Sequence, residues 1–389
     1  MTDSEAPVSR YHALDALRAA MMFLGIYLHA VVFYSPNGGW PFRPPEGTTA
    51  LDYTMSLIHI FRMPVFYVMA GFFTALLWQR YGLRRAAINR FWRIVVPFVV
   101  GSIIVFPVTM FLVSQLLRGW PRSLDFILSG RFLAFAHPLH LWFLEYLIVL
   151  YLLGVIAVVA IRTLVPASVQ ARLMGWFRAI VQSVWAPVPF VALSFLAMLA
   201  MRHAWIEDPS SAFPMARLVA VYAIPFAFGW LLFAHADLLD TLGRRAWLYS
   251  ALGAVGGVVY LVLLYSHADR GVAFYGLRAV HALAMWGAIF GITGLFVRYL
   301  SGYSALRRYF CDSSYFLYIA HLPMLVAFQV VLKDVPIPVL AKVAIALVGT
   351  IAVLLPVYRY AVRPTFIGAG LNGRRYPAAL APAPAVMAS

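Results

Sequence analysis

The chain holds a single cysteine, Cys311, among 389 residues. That excludes an intramolecular disulfide and a thiol-rich metal centre. Charge is scarce too: 11% of residues are Asp, Glu, Lys or Arg, against about 25% in soluble domains. Acidic residues are the scarcer sign, 14 against 30 basic ones. HExxH, P-loop and GxSxG patterns are missing, so nothing points to a metalloprotease, a nucleotide hydrolase or a serine hydrolase, and no metal is expected. No stretch keeps the period-two alternation that a membrane barrel needs.

What remains is apolar: 63% hydrophobic and 16% aromatic, with a mean hydropathy of +0.84. Such a chain is solvated largely by lipid. The net charge of +16 sits in short clusters between apolar runs. That is the pattern of topology and headgroup attraction, and it speaks against a nucleic-acid partner. Ten apolar segments are long enough to span, near 13–35, 52–78, 93–117, 140–162, 187–204, 215–235, 247–266, 275–298, 313–332 and 339–360. The expected fold is all-α: a polytopic membrane bundle of about ten transmembrane helices.

With the N-terminus in the cytoplasm, 19 of the 30 basic residues fall inside and 10 outside, so both termini are expected to be cytoplasmic. The organisation predicted is a cytoplasmic segment 1–12, one transmembrane domain 13–363 and a largely disordered cytoplasmic tail 364–389, whose PAALAPAPAVMAS end is low in complexity. The first apolar run lacks an A-x-A-like cleavage site and is read as a retained helix. Residues 118–139 suggest a short interfacial helix. There is no internal repeat.

Polar residues inside such helices are expensive and usually functional. Arg18 and His29 are 11 residues apart on the first helix, so they share a face about 16 Å apart along its axis. Asp15 is placed at i,i+3 to orient Arg18. His29 has the chemistry of a general base. On the second helix Asp52, His59 and Arg62 follow one another at helical spacing, and Pro64 predicts a kink or unwound turn. A structural ion pair between helices explains that set as well as a donor group does. The run QRYGLRRAAINRFWR carries Arg84, Arg85, Arg90 and Arg93, guanidiniums suited to phosphates or to anionic lipid. HPLHLWFLEYL contributes Trp142 and Glu145, the glutamate needing a partner or an aqueous cavity. His140 and Trp142 are expected near the outer interface, where such residues are routine, and Glu145 is of more interest than His137 or His140. In SSYFLYIAHLP, Tyr318 and His321 are i,i+3, and Pro323 frees backbone carbonyls that a buried histidine can use.

These motifs resemble the acyltransferase 3 family of membrane acyltransferases, which modify extracytoplasmic sugars. The resemblance is carried by Arg18 and His29 as its basic-residue-to-histidine signature, Arg90-Phe-Trp-Arg93 as its RxxR, Arg62-Met-Pro-Val-Phe-Tyr-Val-Met-Ala-Gly-Phe on the second helix, and HLWFLEYL and YIAHLP in order. It runs from Tyr11 to about Arg363 and is nearest to the branch that succinylates osmoregulated periplasmic glucans. Ala70 stands where the family usually has serine, which removes a serine nucleophile.

The resemblance implies an O-acyltransferase in a bacterial inner membrane. Its donor is acyl-CoA, succinyl-CoA first and acetyl-CoA second, docked on Arg90 and Arg93 with Arg84 and Arg85. The acceptor is a periplasmic or cell-surface glycan. Catalytic expectations are His29 as base or acyl relay, with Arg18, Asp15, Arg62, Glu145 and His321. His59, Trp142 and Tyr318 are expected to bind substrate. The alternatives are an O-acetyltransferase of another surface polysaccharide and, from a different class, a secondary transporter or flippase.

Overall fold

A lipid core offers no water to exposed backbone groups, so spanning segments become helices. The computed structural model describes residues 11–40, 47–209, 211–266, 271–373 and 376. Among the described residues there is no strand. The helices are α1 (His12–Val31), α2 (Thr49–Arg90), α3 (Val96–Arg118), α4 (Arg122–Leu128), α5 (Trp142–Leu164), α6 (Ala167–Gln182) and α7 (Pro187–Met198). After them come α8 (Ala216–Ala234), α9 (Leu238–Arg244), α10 (Ala246–Tyr265), α11 (Gly271–Leu300), α12 (Ala305–Leu332), α13 (Val339–Val357) and α14 (Phe366–Asn372). The end where α1 begins and α13 finishes is called basal here, and the opposite end apical.

Among the described residues, eight helical stretches are long and apolar enough to cross a membrane, nine with the bent α6–α7 pair. One of them, Thr49–Arg118, runs 70 residues. Straight, it would measure about 105 Å, over three hydrocarbon thicknesses. It is therefore two passes, and the chain turns where Gly82 adopts φ 74°, a conformation open to glycine. Pro64 does not break α2 as the sequence suggests: helical dihedrals continue through it, and Gly82 alone departs.

The segment expected to span at 187–204 is also different. Helix α7 has 12 residues, about 18 Å, too short to cross alone. It meets α6 at 107°. Buried Arg278 of α11 holds the chain that follows, donating to the carbonyls of Leu199 at the C-cap and of Met201 and His203 in the loop at 3.5, 2.5 and 3.2 Å. The interfacial segment is present as α4 and the short 3₁₀ turn Arg131–Phe135.

Helix α1 packs against α2, α11, α12 and α13, so it is buried on most faces. Helices α2 and α8 cross closely because Gly71 and Gly229 carry no side chain there. A Cβ on Gly71 would strike the Phe226 carbonyl, and one on Gly229 the Val68 carbonyl. The tail expected to be disordered begins as a helix, α14, tied to α3's approach by Arg93, whose Nε and Nη2 donate to Leu371 O at 3.1 and 2.9 Å. Residues 377–389, and 1–10 at the other end, lie outside the described residues.

Candidate active site

Four helices each turn one stripe toward a common interior. On α1 the stripe is Asp15, Arg18, Met22, Gly25 and His29, alternating steps of three and four that keep to one helical face. On α12 it is Arg308, Asp312, Tyr315, Tyr318 and His321; α2 and α5 contribute matching rows. The basal part of this interior is a cavity of about 590 Å³, within the range of small-molecule sites. The next part is a pocket of about 10 Å³ around His29.

The cavity floor is cationic. Arg18, Arg90, Arg93 and Arg308 line it, against two carboxylates, Asp15 and Asp312. Arg308 takes Asp312 with two nitrogens at 2.9 and 3.0 Å. Arg18 lies 3.4 Å from Asp15, and Arg308 approaches the same carboxylate at 4.0 Å. Arg90 donates to Thr74 at 3.1 Å and stacks on Tyr151, with its Nε buried and without a hydrogen-bond partner among the described residues. Proline helps place Arg93. Pro97 has no N–H for the Arg93 carbonyl, four residues earlier, and Tyr315 Oη donates to that carbonyl at 2.6 Å instead. The ceiling is apolar, with Met22, Phe66, Met69, Phe143, Leu144 and Leu147.

Above the ceiling three imidazoles meet. Ring centroids are 4.7 Å apart for His140 and His321, 5.2 Å for His29 and His321, and 6.0 Å for His29 and His140. Pro323 leaves the Ile319 carbonyl without its helical donor, and His140 Nε2 takes it at 3.2 Å. A carbonyl only accepts, so in the neutral ring the lone pair is on Nδ1, which is buried and has no partner among the described residues. His321 Nδ1 donates to Tyr318 O at 2.6 Å, leaving Nε2 as its free acceptor. Tyr318 Oη donates to the His140 carbonyl at 2.7 Å and ties the two elements together. Among the described residues no group of three His, Cys, Asp or Glu side chains is arranged to hold a metal.

Arg62 joins this pocket from α2. Its guanidinium occupies the space left by Gly25, where a Cβ would sit 2.6 Å from Nη1. Gly25 is one turn before His29, and the guanidinium lines the same pocket as the imidazole. Arg62 Nε has no hydrogen-bond partner among the described residues.

The expected site residues thus divide. His29, Arg62, His321, Trp142 and Tyr318 come together in the pocket. Asp15, Arg18, Arg90 and Arg93 belong to the cavity. Arg18 is about 16 Å below His29, too far to touch an atom reacting there. Arg84 and Arg85 are exposed and line neither space. Glu145 also lines neither, with Oε2 buried and without a partner among the described residues. The grouping of Asp52, His59 and Arg62 dissolves. Asp52 is fully buried and accepts from Ser35 and from Asn37, whose Nδ2 is 2.9 Å away, fastening the turn after α1. His59 instead meets Asp208 of the 199–215 loop at 3.8 Å. His140, read from sequence as an interfacial residue, is in the cluster; Pro323 was the available sign of a carbonyl awaiting a donor.

The family model for the acyltransferase domain matches residues 11–359. The chain belongs to the acyltransferase 3 family. As a member of the acyltransferase 3 family it is a multi-pass membrane acyltransferase. It is similar to the glucans biosynthesis protein C of Salmonella paratyphi B, Salmonella dublin and Salmonella enteritidis, each 26% identical over 349 residues, covering 84% of this chain and 85% of theirs. No solved structure matches.

Proposed function

We propose that the protein transfers an acyl group, succinyl in the leading case, from acyl-CoA to a hydroxyl of a periplasmic glucan, in a bacterial inner membrane with its basal end in the cytoplasm. The observation that carries this reading is the order along the shared interior: an arginine floor, an apolar passage, then three histidines. Phosphates of the donor suit Arg90, Arg93, Arg18 and Arg308. From there the pantetheine arm runs up the apolar wall and brings the thioester toward His29.

The acceptor comes from the apical side. There the short α7 lets the 199–215 loop dip, so that Asp208 reaches His59, ten residues or about 15 Å inside α2. The Asp208 side chain is 74% exposed, and a charged carboxylate at that depth calls for water around it. Arg62, one turn below His59, bridges this opening to the pocket.

In the reaction His29 takes the hydroxyl proton as the oxygen attacks the thioester carbonyl. The C–S bond breaks, the thiolate leaves, and the imidazolium returns the proton to it. Free nitrogens on His140 and His321 orient and relay that proton. Arg62 stabilises the negative charge that develops on the carbonyl oxygen. His29 as a covalent acyl carrier uses the same groups and predicts an acceptor-independent burst of one CoA per chain.

Purified protein in nanodiscs, given succinyl-CoA or acetyl-CoA and a glucan, tests the reading. CoA release that depends on the glucan, with ester on the glucan by mass spectrometry, is expected. Acyl transfer from acetyl-CoA alone moves the donor assignment. Glucan movement across liposomes without CoA release overturns the reading in favour of a flippase.

A further inference from the structure

The cavity and the histidine pocket have two lining residues in common, Phe66 and Phe143. On α2 the residues on the apical side of Phe66, Arg62 and Met63, line the pocket alone, whereas Met69, Ala70 and Phe73 line the cavity alone. Along α5 and the turn before it the switch falls at the same level: His140 and Trp142 line the pocket, Leu144 and Leu147 the cavity. The interior is thus one passage interrupted at a single level by two rings. Their centroids are 5.1 Å apart at 44°, and they are 3% and 5% exposed. Phe143 is braced behind by Tyr67 at 5.3 Å and Tyr318 at 6.2 Å.

We propose that Phe66 and Phe143 are the acyl-selecting constriction of this passage: the acyl end of the donor slides between the two rings to reach His29, and the bulk they leave room for decides which acyl groups are transferred. The closed rings also keep cavity water away from the histidines, so a thioester is not hydrolysed before an acceptor arrives. This rests on the acyl-transfer reading above for its substrate, but not for its geometry.

Two experiments separate the two. In the first, wild type, Phe143→Ala and the milder Phe143→Leu are given acetyl-, succinyl-, butyryl- and hexanoyl-CoA with and without glucan. Phe143→Ala is expected to raise hexanoyl relative to acetyl transfer by about tenfold or more and to release CoA without acceptor, with Phe143→Leu between. Equal loss for all donors, with no acceptor-independent release, overturns the constriction and leaves the rings as packing. In the second, Met63→Cys in a Cys311→Ser background places a thiol on the histidine side. Its reaction with a water-soluble methanethiosulfonate from the basal side is expected to be slow, and in Phe143→Ala or Phe143→Leu to approach the rate of native Cys311, which lines the open cavity. A thiol already fast with both rings intact, or unchanged without one, overturns the proposal whatever reaction the protein catalyses. Absence of CoA release from every donor in wild type, with the thiol result as expected, instead removes the acyl-transfer reading.

Discussion

His29 sits where a permanent charge would be expensive and a neutral base is at home, with two fixed-tautomer histidines beside it. His29→Ala is expected to lower transfer by about 10²–10⁴-fold while acyl-CoA binding, measured by calorimetry, stays close to wild type, because the arginine floor is some 16 Å away. Near-normal turnover in that variant would remove His29 as the base. His140→Gln keeps a donor for the Ile319 carbonyl but loses the free ring nitrogen. It should cut kcat with little change in donor affinity, whereas a purely structural His140 predicts near-full activity in the same variant. Arg62→Met removes the positive charge beside Gly25 and should reduce kcat more than KM, as expected of a group used in the transition state.

At the scale of elements, the arginines and the apical loop make separable predictions. Arg90→Ala with Arg93→Ala should weaken acyl-CoA binding and, by releasing Leu371 O, speed amide exchange in α14. Unchanged donor affinity would reassign both arginines to lipid. The 199–215 loop is held by Glu207. Burial opposes its charge, but the Arg202 N–H and the Arg217 guanidinium, at 2.6 and 3.0 Å, outweigh burial and keep its pKa below the ordinary value. A lowered folded-state pKa gives stabilisation that is complete above the unfolded carboxyl value of about 4.3 and disappears as the pH falls through the folded one. Amide exchange around 199–209 should therefore accelerate on acidification below about pH 4; in Glu207→Gln it should already be fast at neutral pH. At the α2–α8 crossing, Gly229→Val forces two backbones apart and should cost about 1–3 kcal/mol, read as a lower Tm.

On the scale of the whole molecule, a cationic basal cavity and the histidine pocket lie in line along the interior of a bundle of membrane-spanning helices. Sidedness follows. In proteoliposomes of known orientation, membrane-impermeant acyl-CoA should support transfer only from the basal face, and glucan should be modified only on the apical face. The helical passes and the α1 face that carries Asp15, Arg18 and His29 were legible in the chain itself, because lipid forces helices and helices force a three-four period. Chemistry-bearing residues on that face were legible for the same reason. Which stripes face one another was decided only by the tertiary structure. His140 bonds to Ile319, 179 residues away, His59 turns to Asp208 rather than Asp52, and α7 stops short of a full crossing. Spacing along a chain specifies a face of one helix, but these pairings depend on close packing between helices distant in sequence, where a missing Cβ at Gly25 or a missing N–H at Pro323 determines what fills the space.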